Sequence, residues 1–177
     1  MPTILSHPAV PLALSLGLSG AVIPKRLLII GALGSVLPDM DVLAFTFGIP
    51  YAHEFGHRGM THSFVFAAFV ALMGACAKRI LHTTFVRAFL FLFVATGSHG
   101  MLDAFTDGGL GVAFFWPWSE SRFFAPFQPI RVAPIGISNF LPSAARVLFS
   151  ELSWVWIPCA LASGALTIFR KRFLGRI

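Results

Sequence analysis

The residues able to do chemistry in this chain are histidines and aspartates set in short groups. Asp39 and Asp41 stand in Leu37-Pro38-Asp39-Met40-Asp41, His57 and His62 flank Arg58-Gly59-Met60-Thr61, and His99, Asp103 and Asp107 follow at intervals of four. Intervals of four put the last three on one helical stripe about 12 Å long, so neighbours could share an ion but the two ends could not. His57 and His62 would diverge on a regular helix. A turn at Gly59, followed by a helix capped by Thr61, would bring their rings together. Imidazole nitrogen and carboxylate oxygen without thiolate favour Zn2+, as one or two ions, with Mn2+ or Fe2+ as contenders. Calcium or magnesium would call for fewer histidines. The ligand set expected from the residues is therefore His57, His62, His99, Asp39, Asp103 and Asp107. An ion with an open position activates water for hydrolysis. Asp41 or Asp107 is the expected general base, and Arg58 the expected clamp on a phosphate oxygen. Asp107, in a last helical turn, faces the negative end of the helix dipole and calls for a cationic partner, which Arg58 or the metal would supply.

The elements that position these groups must lie in a membrane. The 177 residues are 56% hydrophobic and only 11% charged, with mean hydropathy +0.81, too little charge for a water-facing shell. Apolar runs at about 9–23, 27–47, 62–77, 85–107 and 152–169 approach the length that crosses a bilayer. The fold expected is all-α: a polytopic bundle of four to five transmembrane helices forming one integral domain over 1–177. The metal-site half covers about 1–110 and the last span about 152–169. An aromatic segment at about 108–150 belongs in the headgroup layer as a lid or belt, with an amphipathic helix near Ser143–Leu152. Pro38 breaks the ladder of the second run, and the freed backbone beside two carboxylates has to line an enclosed or wet cavity.

Charge sets the expected orientation. The net +6 is dealt out between apolar runs rather than gathered on one polar face, so nucleic acid is not an expected partner. Nine of the thirteen Lys and Arg fall in alternate loops and the tail: Lys25, Arg26, Lys78, Arg79, Arg87, Arg170, Lys171, Arg172 and Arg176. The positive-inside rule makes those loops cytoplasmic and the N-terminus external. All four aspartates and five of the six histidines then converge on the outer face, with His82 the exception. No Lys or Arg precedes Lys25, so the N-terminus is expected to be retained rather than cleaved as a signal peptide. Glu54, Glu120 and Glu151 are expected in solvent or among headgroups. Acidic groups within spans are costly and mark function. Besides hydrolysis, two other uses fit: a proton or metal transport path, and an ion that staples the spans of a structural or lipid-binding protein. Outside His82, no ionisable chain leads to the cytoplasmic ends of the first four runs, which weighs against transport.

An early His7, Leu37-Pro38-Asp39-Met40-Asp41, His57-Arg58-Gly59-Met60-Thr61-His62-Ser63, and His99 followed by Leu102-Asp103 resemble, in that order, the YdjM-type family of bacterial inner-membrane proteins. That family is described as membrane-bound metal-dependent hydrolases. The resemblance implies a multi-pass protein of the bacterial inner membrane with His57, His62, His99, Asp39 and Asp103 as ligands and His7 joining them. The pattern is also faintly similar to the zinc-dependent phospholipase C and P1 nuclease group. A site at the outer bilayer surface meets lipid headgroups and lipid-linked phosphates first, so the expected partners are the bilayer and a lipid or lipid-linked (phospho)ester substrate.

Overall fold

The computed structural model describes residues 1–134 and 136–174; Arg176 of the basic tail lies outside them. Among the described residues every regular element is a helix, joined by turns and irregular chain with two isolated bridges and no strand. Helix α1 spans Ala9–Leu18, α2 Lys25–Val36, α3 Phe64–Cys76 and α4 Phe85–Ala104. A final helical run, α5, covers Ser138–Phe173.

Among the described residues, three helical runs are long and apolar enough to cross a membrane: Lys25–Phe47, α4 and α5, while α1 and α3 are shorter apolar helices. Of the four to five transmembrane helices expected, three reach spanning length and two are shorter apolar helices. The ends explain the shortfall. Helix α1 stops at Leu18, and the expected cap of α3 at Thr61 is replaced by Ser63, whose hydroxyl accepts from the Phe66 amide at 3.1 Å. Helix α4 ends at Ala104 rather than Asp107, because the Thr106 hydroxyl donates to the Asp103 carbonyl at 2.7 Å and competes for the last turn. The amphipathic stretch near Ser143–Leu152 is helical, as Ala144–Glu151, and it leads into the last span within α5.

Helix α4 is the axis of the bundle, with α2 and α3 packed along it and α1 held between this core and α5. Small residues permit the close approach. Ala67, Ala71 and Ala75 form a buried stripe on α3 at intervals of four, facing Ala88, Leu92 and Ala95 of α4. A Cβ on Gly74 would press on the Leu92 side chain, and one on Gly31 on the Phe91 ring, so a larger residue at either crossing would force its neighbour to shift.

Both ends of the bundle are built differently. Ile23, Leu27, Ala75, Leu81, Ala88 and Phe91 form an apolar core at the end where α2 and α4 begin. There the Arg26 guanidinium donates to the Ile80 carbonyl at 3.1 Å, joining the two basic loops. At the other end α2 passes at Pro38 into a 3-10 stretch, Leu37–Phe47, as the proline foretells. The 3-10 stretch, the 48–62 loop, the start of α3 and the end of α4 meet there.

The aromatic segment is packed over this end rather than spread as a free belt. Trp116 Nε1 donates to Glu54 at 2.9 Å, and the Arg122 guanidinium donates to the His57 and His53 carbonyls at 2.9 and 3.0 Å. Backbone amides of Ala113, Ala125 and Ile130 reach the carbonyls of Arg58, Ala104 and Phe105. Val112, Ala113 and Ile130 are buried beneath the segment. Glu54 is thus partnered, and Glu151 is no surface group at all. It is 1% exposed, and it accepts from the Thr3 amide and from the Thr3 and Ser6 hydroxyls, both at 2.6 Å.

Candidate metal centre

Four elements bring six imidazole and carboxylate groups to one buried place. His7 arrives just before α1, Asp39 on the 3-10 stretch, His57 and His62 from the loop and turn before α3, and His99 and Asp103 one turn apart on α4. All are at most 4% exposed. Ligand-capable atoms of His7, His99 and Asp103 lie within 4.8 Å of one another, as do those of Asp39, His57 and His62. The two groups interlock. His99 Nε2 stands 3.3 Å from Asp39, His62 Nε2 3.3 Å from Asp103, and His7 Nε2 3.6 Å from Asp39.

The hydrogen-bond pattern turns the lone pairs inward. His99 Nδ1 faces the Ser35 carbonyl at 2.7 Å and must carry the proton it donates. His62 Nδ1 lies 3.0 Å from the Thr61 oxygen and 3.2 Å from Asp41, so it too is the protonated nitrogen. The two Nε2 atoms then face each other across 3.0 Å, a contact that needs a positive charge between them: either a metal ion, or a second proton on His62 that donates to His99. Around them both nitrogens of His7 and both oxygens of Asp39 and of Asp103 lack a well-aligned hydrogen bond among the described residues; their neighbours are ion-pair contacts of 3.0 to 3.6 Å with Arg58 and with the cluster's own imidazoles. Buried polar atoms left this way are costly. Imidazole and carboxylate donors with orphaned lone pairs fit a borderline cation such as zinc.

Electrostatics agree. Burial, reinforced by His99, pushes His7 down to about 3, leaving the neutral imidazole that a metal needs. Burial opposes charge on His62, but hydrogen bonds to Asp103 and Asp41 raise it to about 9. Without an ion, a proton there supplies the positive charge the carboxylates demand.

Asp41, expected as the base, has another task. Its Oδ1 accepts from His57 Nδ1 at 2.6 Å, and its Oδ2 meets the Thr61 hydroxyl at 2.7 Å, the Arg58 amide at 3.2 Å and His62 Nδ1 at 3.2 Å. It fixes the orientation of the His57 and His62 rings, the task a carboxylate performs behind a histidine that holds a metal. Arg58, expected as a substrate clamp, is fully buried. Its Nε lies 3.0 Å from Asp103, while Nη1 and Nη2 donate to the Gly108 carbonyl and the Thr106 hydroxyl at 2.8 Å. Its backbone, at φ +64°, is in the left-handed region that side chains seldom adopt.

Asp107 lies outside the cluster. With α4 ended at Ala104, the expected stripe stops at Asp103. The cationic partner of Asp107 is Arg131 at 2.6 Å, with the Val132 amide at 2.8 Å. Burial opposes ionisation of Asp107 slightly, but these two donors hold its carboxyl below the usual range. Sequence reasoning missed the Ser35 carbonyl, Thr61 as a partner of Asp41, and Thr106. A backbone carbonyl leaves no trace in residue types, whereas the two threonines sit next to motif residues where a hydroxyl partner could be sought.

The YdjM inner membrane protein family matches residues 1–173. The chain belongs to this family. It is 49% identical over 168 residues to inner membrane protein YbcI of Escherichia coli, covering 94% of this chain and 97% of that protein. No solved structure matches. Membership of an inner-membrane family agrees with the apolar helices, and His7, Asp39, His57, His62, His99 and Asp103 all fall within the matched length.

Proposed function

We propose that the chain is a membrane-embedded metal-dependent hydrolase that cleaves a lipid or lipid-linked phosphoester near the outer face of the inner membrane. The observation that carries this reading is the convergence of buried imidazole and carboxylate atoms, with His62 and His99 Nε2 3.0 Å apart and atoms of His7, Asp39 and Asp103 around them that make no well-aligned hydrogen bond. Zinc, as one or two ions, would supply a Lewis acid and an activated water there. His7, His57, His62, His99, Asp39 and Asp103 would hold it. Asp41 fixes the rings, and Arg58 offsets the charge of Asp103. With Asp41 fully engaged and Asp107 paired to Arg131, Asp39 is the carboxylate whose second oxygen, the first holding the ion, would be left to take a proton from water. The outer location rests on the positive-inside rule applied to the basic loops, two of which are joined by the Arg26 to Ile80 hydrogen bond at the opposite end of the bundle.

A second reading has an observation of its own. His7, His99 and Asp103 have no exposure at all, and a closed site suits an ion that staples α1 to α4 in a structural or lipid-binding protein. Elemental analysis of the protein in mild detergent, wild type beside His99→Ala and Asp103→Ala, tests both readings. Bound zinc that is lost in monodisperse variants, together with zinc-dependent release of a product from phospholipids or lipid-linked phosphates, supports the hydrolase. Bound zinc without turnover of any such lipid favours the staple. Metal-free wild type after zinc is added back overturns both.

A further inference from the structure

Asp39 is the cluster member that meets a cavity. The cavity measures about 440 Å³, within the range of small-molecule sites. Its walls come from the N-terminal residues Ile4 and Leu5, from Val36, Met40 and Val42 of the Lys25–Phe47 run, and from Phe140 in α5. Apart from Asp39 and Thr3, every side chain lining it is apolar. Ile4, Leu5 and Met40 are each more than half exposed where the groove opens, and Leu37 and Leu43 extend the apolar surface along the same helical run.

Polarity is therefore graded along the groove. One end is a buried carboxylate whose neighbours are His99 and His7 at 3.3 and 3.6 Å, and the rest, apart from Thr3 and the backbone at Met1, is hydrocarbon open to what surrounds the helices. Water in such a groove would gain few hydrogen bonds, whereas an alkyl chain would cover the walls at about 0.8 kcal/mol per buried methylene. A water-soluble phosphoester could occupy the Asp39 end alone and would leave the remainder wet.

We propose that this groove seats one acyl chain of a bilayer phospholipid and brings its anionic head group to the metal cluster beside Asp39. The inference deepens the hydrolase reading and rests on it for what happens at the head group. The substrate class it names is a phosphoester carrying a long chain, drawn sideways from the bilayer.

The test uses the full-length, zinc-loaded protein in phosphatidylethanolamine vesicles that contain phosphatidylglycerol with a diazirine on one acyl chain. After photolysis, adducts are mapped by mass spectrometry. They are expected on Ile4, Leu5, Met40 and Phe140, in clear excess over the exposed Leu161 and Phe169 of α5. Filling the groove with Val42→Phe or, separately, Val36→Phe should lower those adducts about tenfold, the effect of losing roughly two buried methylenes, while bound zinc is retained. Labelling as strong on Leu161 and Phe169 overturns the proposal, as does groove labelling unchanged in both zinc-retaining variants. Turnover separates the two ideas. Groove labelling without product from wild type upholds the groove and removes the hydrolase. Cleavage of a soluble phosphomonoester as fast as of phosphatidylglycerol, with lipid cleavage unaltered by both fillings, upholds the hydrolase and removes the groove.

Discussion

Replacing Asp41 by asparagine tests whether this carboxylate orients ligands or moves protons. Both Asp41 oxygens are committed, one to His57 Nδ1 at 2.6 Å and the other to Thr61, the Arg58 amide and His62 Nδ1 between 2.7 and 3.2 Å. Asparagine keeps the shape but turns one acceptor into a donor. Placed at Oδ2, the new amide group would oppose three donors. Placed at Oδ1, it would oppose one, and His57 can answer by moving its proton to Nε2. That second arrangement costs less, and it withdraws His57 from the ligand set because a protonated Nε2 has no lone pair to offer. Loss of such an orienting partner costs about 10 to 100-fold in metal affinity, or about 1.4 to 2.8 kcal/mol.

The assay is competition for zinc between the detergent-solubilised protein and a chromophoric chelator at neutral pH. Asp41→Asn should bind weakly but measurably, whereas Asp39→Asn and Asp103→Asn, each stripped of a charged ligand, should fall further. Wild-type affinity in Asp41→Asn with turnover abolished would refute the orienting role and restore Asp41 as a base. A loss as large as that of Asp103→Asn would make Asp41 a direct ligand.

Asp107→Asn should leave zinc affinity unchanged and cost at most about 1 kcal/mol of stability, since its partner Arg131 is 67% exposed. The depressed carboxyl of Asp107 contributes stability above its unfolded value of about 3.9 and loses it only as pH falls through the lower folded one. Zinc binding and unfolding of the Asp107→Asn protein should accordingly track wild type from pH 5 to 8, and a variant that diverges there would return Asp107 to the site. Glu151→Ala would strand the Thr3 amide and the Thr3 and Ser6 hydroxyls, at about 1 to 3 kcal/mol for a buried group left unpaired. Because that segment carries His7, zinc affinity should drop along with the thermal midpoint in detergent. A lowered midpoint with unchanged zinc affinity would remove His7 from the ligand set.

What was legible in the sequence, and what was not, follows from the range of the forces involved. His57, His62, His99, Asp39 and Asp103 could be gathered because charge is costly in apolar runs and their positions fell at one end of those runs. Pro38 marked the unwound stretch because its missing amide acts locally. Asp107 was misplaced because helical phase was carried three residues past Ala104, where the Thr106 hydroxyl already competes with the ladder. Glu151 read as a headgroup contact because its partners Thr3 and Ser6 lie 148 and 145 residues away. Arg58 read as a clamp because an arginine between two histidines looks free, until Asp103, Thr106 and Gly108 close around it.

The choice between a stapling and a reacting ion turns on access. A stapling site is closed by its own ligands, whereas a reacting one keeps a position for water or substrate. Most of this cluster is walled by helix α4 and the aromatic segment, which leaves His99 and Asp103 without exposure. Asp39 differs, because Pro38 turns its backbone out of the regular ladder and sets its carboxylate between the cluster and the groove. A ligand needed only for folding would gain nothing from facing an apolar cavity, since hydrocarbon beside a carboxylate raises the cost of its charge. The position makes sense if what fills the groove ends in a group the ion can hold. Leu or Phe at Val36 or Val42 would then remove lipid turnover and spare the metal, a separation that a stapled scaffold has no means to produce.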